Sequence, residues 1–291
     1  MSPQLSLGEL EALARRTRRE IVTAVAHAKG GHVGGPLSAV ELLTALYFRV
    51  LRIRPDEPDW PERDRFILSK GHCSIALYAV MALRGYFPLE ELSSFDAIDS
   101  RLQGHPDMKA LPGLDMSTGS LGLGFGAGVG ISLGAKLSGQ QFSTFVMVGD
   151  GECNEGAIWE GAHVAQRYAL ENLVAVIDQN QLQQFCWRDR TSVERLPLPP
   201  YNGGELARRW AAFGWKVLEI DGHDMTAVIE ALEASRQLQG APVAVVAHTV
   251  KGKGVSFMEN DYSWHSRVPT DEELRQALAE LADPVALSGA R

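Results

Sequence analysis

FSTFVMVGDGECNEGAIWEGAHVAQRYALENLVAVIDQNQL, residues 142–182, is the stretch whose periodicity sets the fold class. Phe142 to Val148 is an apolar, β-branched run that reads as a buried strand. Glu155 to Tyr168 has helical spacing, and Leu173 to Asp178 (LVAVID) is a second buried strand. A helix between two such strands makes a βαβ unit, whose short crossover requires parallel strands and a right-handed connection. Downstream, Val217 to Ile220, Met225 to Gln237 and Val243 to Thr249 repeat strand, helix, strand. The expectation is an α/β fold: an open, mostly parallel sheet with helices on both faces.

Toward the N-terminus the pattern turns helical. Leu10 to Ala28 has apolar residues at helical spacing with a dense Arg/Glu face. Ser38-Ala-Val-Glu41 has the form of a capping box opening a helix to about Val50. Pro55, Pro58 and Pro61 impose an extended connection to a short strand at Arg65 to Leu68, and helices follow at Ser74 to Arg84 and Leu89 to Phe95. No repeat or low-complexity linker interrupts the chain, so residues 1–291 read as a single domain with a loop-rich N-terminal part.

Composition narrows the partners. The 28 Lys+Arg against 36 Asp+Glu give a formal net charge of −8, which argues against nucleic acid, because a phosphate-backbone binder needs a basic face. At 45% hydrophobic and 22% charged the chain can bury a large core. Cys73, Cys153 and Cys186 fit neither a disulfide framework nor a zinc pattern, and Met1 to Gly8 lack the features of a secretory or transit signal; a cytoplasmic setting is expected. Met116 to Ala135 is uncharged and long enough to span a bilayer, with glycines at 122, 126, 130 and 134 in small-xxx-small spacing. Its glycine content makes it too weakly apolar for insertion, so a helix packed backbone-close against the rest of the protein is expected instead.

In an open α/β sheet, ligands bind beyond the carboxyl ends of the strands. Asp150, in Gly149-Asp150-Gly151, follows the first strand of the βαβ unit, and Asn180 follows the second. Parallel neighbours bring those ends within about 5–10 Å, close enough to share a hard cation such as Mg²⁺. One carboxylate and one amide oxygen leave an octahedron short, which asks for phosphate oxygens and water from a ligand. By these residues alone, a plain Gly-Asp-Gly turn with Asn180 as a loop residue is an equally good reading.

GDGECNEG, followed at Asn180 by the NQL segment, resembles the fingerprint of thiamine diphosphate enzymes. Within that superfamily the chain resembles the N-terminal, cofactor-binding half of transketolase along nearly its whole length. The matching segments are GHVGGPLSAVELLTALYF, RDRFILSKGH, RLQGHPD, STGSLG, the GDG unit, FGWKVLEIDGHD, TVKGKGVSF and Trp264-His265. The resemblance implies thiamine diphosphate with Mg²⁺, or Ca²⁺ or Mn²⁺ in its place, held by the side chains of Asp150 and Asn180 and the backbone carbonyl of Leu182. It places Gly119, Leu121, Gly149, Gly151 and Glu152 around the cofactor. It places His32, His72, His105 and His265 as catalytic residues along the cofactor's reactive edge and the substrate funnel, with His72 and His265 also touching cofactor. The implied reaction moves a two-carbon ketol unit from a ketose, free or phosphorylated, to an aldehyde, and an imidazole with pKa near ~6.5 can accept and return the protons it requires. Glu155 matches a catalytic-site glutamate that couples two cofactor sites between protomers; as a helix-start acid it is equally explained by the helix dipole.

Other features receive plainer readings. His27 and His163 lie in helical patterns and His248 ends a strand, contexts in which histidines are usually packed. His223 reads as a helix-start turn. Gly122-x-Gly124-x-x-Ala127 lacks a preceding strand, so a nicotinamide dinucleotide site is discounted. Val33, Leu123, Ser266 and the segment Gln183 to Arg190 depart from the family pattern and bear on substrate choice. No pyrimidine-binding or C-terminal domain follows Arg291, so the resemblance implies a partner chain supplying those domains and the cofactor-activating glutamate, in an α₂β₂ assembly. The alternatives are the α chain of a 2-oxo acid dehydrogenase, which also carries a GDG-to-Asn unit, and a non-catalytic regulatory chain.

Overall fold

The computed structural model describes residues 4–183 and 205–282. Five strands, β1 (Arg65–Leu68), β2 (Thr144–Gly149), β3 (Leu173–Gln179), β4 (Lys216–Asp221) and β5 (Val243–His248), pair in the order β1-β2-β3-β5-β4, all parallel. Alternate residues of the central strands point to opposite faces, and each face is buried. Phe145, Met147, Val174, Val176, Val243 and Val245 join one core; Val146, Val148, Ala175, Ile177, Ala244 and Val246 join a second. This is why these strands read as continuous apolar runs without alternation.

The first core is covered by α1 (Leu7–Ala28), the short α2 (Gly34–Ser38), α3 (Val40–Ala45), α4 (Ser74–Arg84), α8 (Met225–Ser235) and α9 (Asp271–Glu280). The second is covered by α5 (Leu123–Ser138), α6 (Gly156–Arg167) and α7 (Glu205–Ala212). From β1 through β3 to β4 the sheet advances in one direction, and the helices that lead into β2, β3 and β4, namely α5, α6 and α7, lie on the second face. The step from β4 back to β5 reverses direction, and its helix, α8, lies on the first face, as a right-handed connection demands. The reversal leaves a crevice at the carboxyl ends of β3 and β5.

The structure departs from several of these expectations. The helix expected from Ser38 begins at Gly34, is interrupted at Ala39 and ends in a π turn over Leu46–Val50. The Ser38 capping box does not form: the hydroxyl donates to Asp178 Oδ2 at 2.6 Å, with Gly35 O also within reach, while Glu41 pairs with Arg18. A buried carboxylate and a buried guanidinium draw these side chains away from two local N–H groups. His27 and His163 are exposed and not packed. The sequence pattern does not predict α7 or α9, although Thr270 and Glu273 form a complete capping box at the start of α9.

The 116–135 stretch folds around α5, and among the described residues no helix is long and apolar enough to cross a membrane. Of the four-residue glycine series noted in the sequence, only Gly122 is closely packed, 3.2 Å from Ala157 and Glu155 for an added Cβ. A Cβ on Gly124 would lie 2.8 Å from Ser69 Cα and one on Gly128 2.3 Å from Val146 Cγ2, whereas Gly126, Gly130 and Gly134 face open space. Gly128→Ala is therefore expected to cost about 2 kcal/mol through overpacking against β2. Gly130→Ala, by contrast, should raise stability by about 0.5–1 kcal/mol through helix propensity. Urea titration of the two variants checks the pair; equal effects would contradict the packing of Gly128 against β2.

Candidate active site

The crevice opens into a cavity of about 290 Å³ lined by the four histidines, His32, His72, His105 and His265. Asp150, Asn180 and Leu182 line the same cavity, as do Gly119, Leu121, Gly149, Gly151 and Glu152. Strand ends, the turn before α2, the Gly71–Cys73 turn before α4 and the Tyr262–His265 turn deliver these side chains to one place. Of the residues expected at the site, Glu155 alone stays outside: it is exposed, caps the start of α6 without a side-chain cap bond, and its Cβ lies 3.2 Å from where a Gly122 Cβ would sit.

The histidines are in mutual contact. The His32 ring centroid is 5.1 Å from His72, 6.3 Å from His105 and 5.0 Å from His265, and His72 is 5.2 Å from His265. Burial, followed by the charge of neighbours including Lys251, pushes His32 down to about 4 and His265 to about 3; burial, then Lys70, holds His72 well below the ordinary range. These three are neutral at physiological pH, able to accept a proton or donate a hydrogen bond without carrying fixed charge.

Linkage gives a testable consequence. Histidines depressed in the fold protonate first in the unfolded chain, near ~6.5, so stability is lost as pH falls from there through about 4 and about 3. His32→Asn and His265→Asn are each expected to flatten that loss. Urea midpoints at pH 7.5, 5.5 and 4.5 check it, and an unchanged pH slope would count against the burial of these rings.

Asp150 is buried. Its Oδ1 accepts from Gly151 N at 2.8 Å and its Oδ2 from Gln181 N at 2.7 Å. Burial, then the charge of Asp178, raises it to about 6. Asn180 Oδ1 accepts from Leu182 N at 3.1 Å and Asn180 Nδ2 donates to Ser38 Oγ at 3.3 Å. Glu152 accepts from Ser69 Oγ, Gly122 N and Gly149 N, so its carboxylate braces the loops that form the cavity wall. Among the described residues no group of three or more His, Cys, Asp or Glu is placed to hold a metal.

Several residues of the site carry no signature that the sequence reading used. Lys70 is 2% exposed and Asp178 0%, and the two form an ion pair. Burial opposes both charges, yet the neighbours together outweigh it: Asp178 foremost holds Lys70 above its usual value, and Lys70 with the hydroxyls of Ser38 and Thr249 holds Asp178 below. Asp178 also accepts from Ser38 Oγ and Thr249 Oγ1, and so ties the ends of β1, β3 and β5 to α2. A carboxylate inside a strand buried on both faces must find partners, a signal already present in LVAVID. Lys251 lines the cavity, donating to Gln183 O at 3.1 Å and lying 3.2 Å from His265 Nδ1; burial, then Lys70, lowers it to about 8.

The loop carrying Lys251 is anchored from outside the cavity. Val250 N donates to His223 Nε2 at 2.8 Å, which leaves the ring proton on Nδ1 to donate to Glu41 Oε2 at 3.0 Å. Arg18 donates to Glu41 Oε2 at 2.7 Å and to Lys253 O at 2.9 Å. Burial would raise Glu41, but Arg18 and the His223 bond bring it to about 2. His223 thus occupies the expected turn before α8 and also fastens the loop after β5. Of Gln183 to Arg190, only Gln183 is described, and the remainder lies outside the described residues, as does Cys186.

The parallel sheet, the strand-end carboxylate and amide, and the neutral histidines together form a polar cavity whose walls can accept and return a proton. Comparison with known proteins identifies the family. The model described as transketolase, thiamine diphosphate binding domain, matches residues 11–282. The chain is 40% identical over 276 residues to an apulose-4-phosphate transketolase subunit of Phocaeicola vulgatus, covering 95% of each. It is 44% identical over 251 residues to the 6-deoxy-6-sulfo-D-fructose transketolase subunit SqwG of a Clostridium species, covering 86% of this chain and 88% of that one. Among solved structures, the transketolase of Campylobacter jejuni superposes with a TM-score of 0.85 at 27% identity, over 95% of this chain and 43% of that one. The chain belongs to the transketolase family, and it spans about two-fifths of the length of the solved transketolases it matches.

Proposed function

We propose that this chain is the cofactor-holding component of a two-component, thiamine diphosphate- and Mg²⁺-dependent transketolase. It transfers a two-carbon ketol unit from a ketose or ketose phosphate to an aldehyde acceptor. The observation that carries this reading is the meeting of four histidines with the Asp150–Asn180 pair in one cavity. Relatives that are themselves named as transketolase subunits match nearly end to end, which supports a partner chain bearing the pyrimidine-binding and C-terminal domains. On this reading residues 1–291 are one cofactor-binding domain, the assembly is α₂β₂, and the exposed Glu155 faces a second copy. Cys73 and Cys153, both buried and free, suit a reducing cytoplasm.

The residues fit the group they would hold. Asp150, Asn180 and the Leu182 carbonyl are oxygen donors of the kind Mg²⁺ prefers, too few to complete an octahedron without phosphate and water. A cation beside Asp150 would offset the burial and Asp178 repulsion that raise its carboxyl. Lys251, in the cavity lining, is placed to meet an anionic group. When bound, thiamine diphosphate supplies a carbon centre that stabilises the two-carbon unit between donor and acceptor. The neutral imidazoles accept the proton of the ketose C3 hydroxyl as the C2–C3 bond breaks, and return one when the new bond forms.

The test is to tag this chain in its own host and purify it gently with Mg²⁺. A co-purifying partner and bound thiamine diphosphate near one-to-one, with ketol transfer by the complex, is the expected outcome. Full activity of the chain alone would overturn the two-component reading. Recovery of folded protein with neither partner nor cofactor would turn belief to a non-catalytic role.

A further inference from the structure

A second hollow, of about 430 Å³, adjoins the active-site cavity and shares His32 and His105 with it. Its wall includes Asp96, Gln103, Gly104 and Ser266, with no lysine or arginine among the described residues. Arg101, close in sequence, is tied to Glu91 at 2.9 Å. Asp96 sits in the left-handed region at φ +57°, where its N–H donates to Leu102 O at 2.8 Å and its Oδ1 accepts from Gly104 N at 3.0 Å. Its Oδ2 takes no protein hydrogen bond among the described residues. The exposed Asp96 and the hydroxyl-bearing Ser266 thus line a hollow that meets the cavity at His32 and His105.

We propose that Asp96, in the wall of this vestibule, accepts a hydrogen bond at Oδ2 from a hydroxyl of the sugar chain and so helps to select it. The proposal rests on the ketol-transfer reading. A carboxylate accepts strongly from a hydroxyl and repels an anion, so the vestibule selects neutral, polyhydroxylated segments and leaves any phosphate or sulfonate to be gripped elsewhere. Asp96 is then a specificity-determining residue.

Asp96→Asn isolates that role. Asparagine tolerates the left-handed backbone, its amide oxygen keeps the Gly104 N–H bond, and its NH₂ puts a donor where the free acceptor was. With the reconstituted complex and 3-hydroxypyruvate as common donor, whose decarboxylation leaves the same two-carbon unit, kcat/KM is measured for glycolaldehyde, D-erythrose and D-ribose. The expected result is a fall of about tenfold or more for the two longer aldehydes, with glycolaldehyde within about twofold. Circular dichroism and co-purification of partner and cofactor at the wild-type level accompany the kinetics, so that a folding defect is recognised as such. An equal loss on all three acceptors would make Asp96 a loop strut and overturn the proposal, as would no change on any. Absence of transfer by the wild-type complex with every acceptor would instead sink the ketol-transfer reading itself.

Discussion

Asp178→Asn is expected to lower the unfolding free energy by about 3–5 kcal/mol, the range for breaking a buried ion pair by removing one charge. The carboxylate is fully buried at the end of β3 and holds Lys70, Ser38 and Thr249 at once, so its loss leaves a lysine that is 2% exposed with an uncompensated charge. Adding Lys70→Met should recover much of the loss, since a buried pair replaced as a unit by neutral groups is often tolerated. A double-mutant cycle in urea reads the coupling. A single-variant loss below about 1 kcal/mol, or no recovery in the double variant, would show that the pair is not what joins the strand ends.

Asp150→Ala is expected to weaken retention of thiamine diphosphate by the complex about a hundredfold or more and to abolish its dependence on Mg²⁺. Substitutions one shell further from a metal already cost about 10–100-fold. The fold should survive. The variant loses the bonds from Gly151 N and Gln181 N, but it also removes a buried charge that Asp178 repels. Equilibrium dialysis of the cofactor with and without Mg²⁺, beside a urea titration, separates the two effects. Retention that remains normal and Mg²⁺-dependent would overturn the assignment of Asp150 as a metal ligand.

The sheet and its face-by-face burial were legible because a parallel strand covered on both sides must be apolar along its whole length, as in FSTFVMV and LVAVID. The site positions were legible through motif resemblance, and His32, His72, His105 and His265 converge in space as that resemblance implied. Side-chain allegiance was not legible. Ser38 and Glu41 have capping-box spacing, yet each answers a buried partner far away in sequence, Asp178 and Arg18. The glycines at 122, 126, 130 and 134 stand out by their spacing, yet within the helix Gly124 and Gly128 do the packing while Gly126, Gly130 and Gly134 face open space, because which helix face meets a sheet depends on the sheet.

Hydrophobic period and local chemistry, read along the chain, suffice for strand, helix and turn, for the carboxylate and amide at two strand ends, and for a set of histidines in family contexts. Which charges share a low-dielectric interior was fixed in three dimensions alone. Folding paired Lys70 with Asp178, brought Lys251 beside His265 and fastened its loop through His223, Glu41 and Arg18. It also left Asp96 in the wall of a second hollow. The physical reason is that a buried charge is stable only beside its partner, and the chain brings such partners together from positions too far apart for any local pattern to record.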